Sequence, residues 1–288
     1  MLLCAQRCQL GEGPTYDALS DTAWWFDILE SRLFEARLGT GTITVHPLAL
    51  MASALAYVDD RRQVLVTERG LLLRDIASGT LAPVALVEAE NAVTRSNDAR
   101  VHPGGTLWFS TMGRNAEPGA GAIYAFHAGA VVKLFADITI PNAICFSPDG
   151  TTGYFADTAA GQLHRVRLDA ATGLPLETPT VLLRHDDEGG LDGAVIDRDG
   201  LIWCAIWGGA RLNAYSSEGE FVRSVATPAR QTSCPAFVGP AFDRVLVTSA
   251  WAGMDEDARA ADPEHGRTFL LDIGACGRAE PRMRMGRL

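Results

Sequence analysis

An all-β fold, a six-bladed β-propeller, is what this sequence predicts, and three observations predict it. A polar opening residue, a short apolar run, a Gly/Pro/Asp turn and an aromatic or β-branched run recur from starts near residues 12, 54, 97, 142, 192 and 233. The spacings are 42, 43, 45, 50 and 41, a period that suits blades of about four short strands each. Helical repeats share that period, but every copy here carries turn residues about six positions after its start, and no helical stripe survives such breaks. Six copies across 288 residues, with no low-complexity linker, predict one domain spanning 1–288.

The third copy is the clearest. Arg95, Ser96, Asn97 and Asp98 lead into a short strand, His102-Pro103-Gly104-Gly105 makes the turn, and Thr106 to Met112 has strand composition. Pro and Gly between two such runs read as a hairpin. Pro141 to Phe146 with Ser147-Pro148-Asp149-Gly150, and Leu191 to Ile196 with Asp197-Arg198-Asp199-Gly200, repeat it closely. Ala54 to Asp59 and Ser233 to Val238 are weaker copies, and Glu12-Gly13-Pro14-Thr15 leads to Trp24-Trp25-Phe26-Asp27 at the N-terminal end.

The net charge of −10 and pI near 5.1 argue against nucleic acid or an anionic membrane as partner. No apolar run approaches a membrane span, and Met1-Leu2-Leu3-Cys4 lacks the basic-then-apolar order of a signal peptide. A cytoplasmic protein, a monomer or weak homo-oligomer, is expected. The cysteines Cys4, Cys8, Cys145, Cys204, Cys234 and Cys276 form no Cys-x-x-Cys pair and read as free thiols. The scattered histidines His46, His102, His127, His164, His185 and His265 lack metal-ligand spacing and read as surface or packing residues.

The chemistry lies in the residues that open the copies: Glu12, Ser53, Asn97, Asn142, Asp192 and Ser233. In a propeller the first strand of every blade lines the central channel. Burying Glu, Asn and Asp there costs several kcal/mol each unless they are partnered. A hard divalent cation resolves that cost, since carboxylate and amide oxygens suit Ca, Mg or Mn, and oxygen ligands alone leave Zn and Fe open. Asp197-Arg198-Asp199-Gly200 resembles a calcium loop but lacks its twelve-residue ligand pattern, and Gly208-Gly209 opens no helix that would cradle a phosphate.

Five segments together, Leu10-Gly-Glu-Gly-Pro14, Arg95-x-Asn-Asp98 with Trp108 and Thr111-Met112, Pro141-Asn142 with Phe146-Ser-Pro-Asp-Gly150, Asp192-Gly193, and Thr232-Ser-Cys234, resemble the regucalcin–gluconolactonase (senescence marker protein) family in order and spacing. The resemblance runs over nearly the whole chain and looks nearest to bacterial sugar lactonases. It implies a metal-dependent hydrolase of carbohydrate metabolism that opens a small-molecule sugar lactone, aldono- or aldarolactone, with one divalent metal ion as cofactor. Carried over, the metal ligands are Glu12, Asn142 and Asp192, with Asp192 also the catalytic general base. Arg95, Asn97 and Glu117 contact the substrate. Ala99 and Ala143 stand where the family usually has Gly. An ion pair with Asp98 is the competing role for Arg95. The competing functions are a metal-dependent arylesterase or phosphotriesterase on the same scaffold, and a non-catalytic metal- or sugar-binding propeller.

Overall fold

The computed structural model describes residues 1–286. Among them, 24 strands form six four-stranded antiparallel sheets, the blades of a six-bladed β-propeller. All six predicted starts fall on first strands: Gly11–Asp17, Ala52–Tyr57, Thr94–Val101, Pro141–Phe146, Gly190–Ile196 and Thr232–Val238. The sheets are called one to six in that order.

Second strands such as Thr22–Asp27, Leu107–Gly113 and Ile202–Trp207 are buried along nearly their whole length, because both faces are covered. Their sequences accordingly read as continuous apolar runs rather than alternating ones. Fourth strands such as Thr42–Pro47 and Phe221–Ala226 are largely exposed. Burial therefore falls from the first two strands of a sheet to the last.

The chain forms two compact units, one of residues 1–49 and 185–280, the other of residues 50–184 with the stretch from Pro281. In the first unit, which holds sheets one, five and six, Cys4, Cys8, Trp25, Phe34, Leu246 and Leu270 pack together, and Val195, Trp203, Phe237 and Val245 make a second cluster. In the second, Val64, Val66, Phe109, Tyr124 and Met283 join sheets two and three, while Trp108, Ile144, Phe146 and Phe155 join sheets three and four. Trp108 meets Phe146 edge-on at 5.2 Å and donates its indole N–H to Gly173 O at 2.9 Å.

Sheet six is assembled from both ends of the first unit. Its order is Thr232–Val238, Arg244–Ser249, Thr268–Leu271 and then Leu2–Cys4, so three residues at the N-terminal end supply the outermost strand. Leu2 pairs with Phe269 and Cys4 with Thr268, and the Cys4 side chain is buried.

The turns explain several sequence features. His102 is fully buried, with Nδ1 accepting the Gly104 N–H at 2.8 Å and Nε2 donating to Gly150 O at 2.9 Å, and its ring meets Phe146 edge-on. It is a packing residue that bolts the turn of sheet three to that of sheet four. Asp197 accepts the Asp199 and Leu201 N–H groups and the Trp203 indole N–H, so its resemblance to a calcium loop reflects turn chemistry. Among the described residues all six cysteines are free thiols, five of them buried, and no helix is long and apolar enough to cross a membrane.

Two outcomes are expected. Deleting residues 1–4 removes an outer strand and should lower Tm by at least about 5 °C; an unchanged melting curve would show that the strand contributes nothing. Burial holds the His102 pKa below its ordinary value, against the opposing pulls of Gly150 O and Asp169. Below pH about 6.5 the unfolded chain therefore binds a proton that the folded ring resists, and stability falls as pH falls from there. Urea midpoints between pH 7.5 and 5.5 should drop, and His102→Gln should flatten the decline; equal slopes would refute the assignment.

Candidate active site

Every first strand carries an irregularity in its register where its polar residue sits. The shifts fall between Glu12 and Thr15, Ala52 and Ala54, Ser96 and Ala99, Asn142 and Cys145, Leu191 and Ala194, and Thr232 and Pro235. A bulge puts an extra residue on one strand and re-aims its side chain. Here it falls on Ser53, Asn97, Asp192 and Ser233, and directly after Glu12 and Asn142, which still pair with Phe26 and Ala156.

In the second unit these residues bond from sheet to sheet. Ser53 Oγ donates to Ser96 Oγ at 2.9 Å. Asn97 Nδ2 donates to Asn142 Oδ1 at 2.8 Å and to Pro141 O at 2.9 Å. Arg95 Nη1 donates to Asn97 Oδ1 at 2.9 Å and to Ser96 O at 2.8 Å. Asn142 Nδ2 donates to Thr158 Oγ1 at 2.9 Å. Arg95, Asn97 and Asn142 are all buried, so three of the predicted site residues lie in one hydrogen-bonded string.

Asp98 is occupied differently from the ion pair weighed for it. Its carboxylate accepts the Ile144 N–H at 2.7 Å and the Ala99 N–H at 2.8 Å, and its carbonyl takes the Ser110 hydroxyl. Burial pushes its pKa up to about 6, while nearby Arg100 pulls it down. Its contact with Ile144 pins the bulge that directly follows Asn142. Ala143, inside that bulge, has φ of 53° and is fully buried, an L-residue held in the left-handed region.

Glu117 lies in the turn after Leu107–Gly113, at the end of sheet three where Arg95 pairs with Met112. Its oxygens accept the Asn115 backbone and side-chain N–H groups, each at 3.0 Å. Its own backbone N–H, then the Asn115 side chain, hold its carboxyl below the usual range. Glu117 is thus an ionised acceptor that closes its own turn.

In the first unit, Glu12 and Asp192 flank the first strand of sheet six. Ser233 Oγ donates to Gly11 O, beside Glu12. Gly193, beside Asp192, lies so close to Cys234 that an added Cβ would stand 2.6 Å from Cys234 Cβ and 3.0 Å from its Cα. The Gly of Asp192-Gly193 is therefore set by close packing against sheet six. Gly13, at φ 57°, turns the backbone so that its N–H reaches Glu12 Oε2 at 3.1 Å. Asp192 is buried and Glu12 half-buried.

The donor chemistry fits a hard cation. Glu12 and Asp192 bring carboxylates, and the Asn142 Oδ1 that accepts from Asn97 keeps a second lone pair. Sequence reasoning missed Thr158, the acceptor for Asn142. The signal available was its place directly after Asp157, which caps the short turn Thr158–Ala160.

Polar side chains thus sit in or beside a bulge on the first strand of every sheet of this six-bladed propeller. The chain belongs to the family described as "SMP-30/Gluconolactonase/LRE-like region", whose pattern matches residues 10–251. A Rhizobium meliloti (strain 1021) protein with the provisional name sugar lactone lactonase is 51% identical over 278 residues, covering 96% of this chain and 94% of that protein. The L-arabinolactonase of Azospirillum brasilense is 33% identical over 290 residues, covering 98% of this chain and 94% of that enzyme. The crystal structure of a calcium-binding protein, regucalcin, from Agrobacterium tumefaciens superposes with a TM-score of 0.97 at 51% identity, covering 98% of this chain and 96% of that one.

Gly193→Ala has no room without moving Cys234. It should cost about 1–3 kcal/mol of stability in urea unfolding, as overpacking does; wild-type stability would mean that the strands separate more easily than their contact implies.

Proposed function

We propose that this protein hydrolyses sugar-acid lactones of the aldonolactone or aldarolactone class to the free acids, with a divalent cation held by Glu12, Asn142 and Asp192. The observation that carries the reading is the buried Arg95–Asn97–Asn142 string, which joins the residues proposed for substrate to a residue proposed for metal. The lactonase names of the relatives support the substrate class. The calcium-binding description of the regucalcin structure supports a cation.

When bound, the cation supplies Lewis-acid polarisation of the lactone carbonyl and a positive field for its oxygen. Asp192 takes a proton from the attacking water as its oxygen bonds to the carbonyl carbon, and returns it to the ring oxygen as the ring C–O bond breaks, so that oxygen leaves as an alcohol. Arg95 offers a fixed positive charge and several donors to the substrate's hydroxyls or carboxylate. Asn97 Oδ1, which keeps a lone pair beside its bond to Arg95, accepts from a substrate hydroxyl. Glu117, ionised, accepts from a further hydroxyl by exchanging its bonds to Asn115. This polar, hydrogen-bonding lining suits a polyol better than the apolar ester of an arylesterase or phosphotriesterase.

Turnover of a panel of aldonolactones and aldarolactones should vanish on chelation and return with one of Ca, Mg, Mn, Zn or Fe. Asp192→Ala should lower kcat by about 10²–10⁴-fold. Arg95→Ala should lower kcat/KM by about 10–100-fold, the loss of a charge-assisted hydrogen bond. Full activity after chelation would end the metal reading. Hydrolysis of aryl esters or phosphotriesters alone, or lactone binding without turnover, would overturn the substrate assignment.

A further inference from the structure

An amide side chain is nearly symmetric in shape, and only its partners decide which end presents oxygen. Asn142 shows how that decision is made. Its Nδ2 donates to Thr158 Oγ1 at 2.9 Å, which leaves Oδ1 at the other end, accepting from Asn97 Nδ2 at 2.8 Å. Asn97 is ordered in the same sense, since its Nδ2 serves both Pro141 O and Asn142 Oδ1 while its Oδ1 accepts from Arg95. Donors therefore point one way along the whole string, from Arg95 through Asn97 and Asn142 to Thr158.

The end of the string is itself fixed. Thr158 N–H donates to Ile140 O at 3.0 Å. The Asp157 side chain, one residue earlier, accepts the N–H groups of Thr139 and Ile140 at 3.1 Å and of Ala159 at 3.2 Å. These bonds hold the Thr158 hydroxyl where Asn142 needs an acceptor.

We propose that Thr158 is a positioning residue, whose hydroxyl oxygen sets the Asn142 amide with Oδ1 turned toward its role as a cation ligand. The inference rests on the metal reading above and adds to it a residue that touches neither cation nor substrate. Without the hydroxyl, Asn142 Nδ2 has lost its acceptor. An amide that turned over would set Nδ2 against Asn97 Nδ2, donor against donor, so Asn97 alone then holds the amide by its oxygen, and without the bond at its other end that oxygen is no longer fixed in place. Groups that orient a metal ligand typically govern affinity by about 10–100-fold.

The test is calorimetric titration of the metal-free protein with calcium chloride and with manganese chloride, without substrate. Thr158→Val keeps the branched shape and the backbone bond to Ile140 and should weaken binding about 10–100-fold. Thr158→Ser, which keeps the hydroxyl, should bind like wild type. Thr158→Ala serves as a second variant should Val not fold, with melting curves of the metal-free proteins confirming the fold. Wild-type affinity in folded Thr158→Val or Thr158→Ala, beside weakened binding in Asn142→Ala, would overturn the role of Thr158 and leave the metal site standing. Wild-type affinity in Asn142→Ala, or no binding of either ion by the wild-type protein, would overturn the metal reading and this inference together.

Discussion

A buried polar group must be partnered, and that constraint shapes this protein where it is most specialised. Amide, hydroxyl and carboxylate side chains sit on first strands that are otherwise packed, and each that loses water needs a replacement. The replacements come from neighbouring sheets. Asn97 meets Asn142, Ser53 meets Ser96, Ser233 meets the Gly11 carbonyl, and Asp98 meets the Ile144 amide. Satisfying these groups therefore also fixes how adjacent sheets in each unit lie against one another.

The irregular register of the first strands belongs to the same logic. A regular strand would send alternate side chains to opposite faces of its sheet, into the apolar layers on either side. The bulge lies at or directly after the polar residue of each strand, and its costs appear as specific local features. Gly13 and Ala143 occupy the left-handed region, Gly193 gives up its side chain to Cys234, and Asp98 carries a carboxyl raised by burial. Local strain of this kind persists only where surrounding packing over-determines it.

The fold was largely legible in the sequence because turn chemistry is local. Ser147-Pro-Asp-Gly and Asp197-Arg-Asp-Gly announce hairpins by themselves, and six such signals at even spacing leave little choice of architecture. The polar openers were legible for the complementary reason: Glu, Asn and Asp stand out against apolar strands. Relationships between distant residues were not legible. Nothing in Met1-Leu-Leu-Cys announces a strand of the sixth sheet, because its partner Thr268–Leu271 lies at the far end of the sequence. Thr158 is an ordinary residue after a strand until Asn142 is seen to donate to it. An ion pair with Arg95 was only the competing possibility for Asp98, and the bulge after Asn142 reveals the Ile144 amide that it serves.

The dependence of sheet six on its N-terminal strand has a consequence for biosynthesis. Met1 and Leu270 are joined by hydrogen bonds across a separation of 269 residues. During translation sheet one can pair as soon as residues 11–47 leave the ribosome, whereas Leu2–Cys4 must wait, unpaired, until Thr268–Leu271 emerge. Completing sheet six is then a long-range loop closure, with an entropic cost that grows only slowly with chain length. A nascent chain stalled before that point would leave the outer edge of Arg244–Ser249 open to pairing with another molecule.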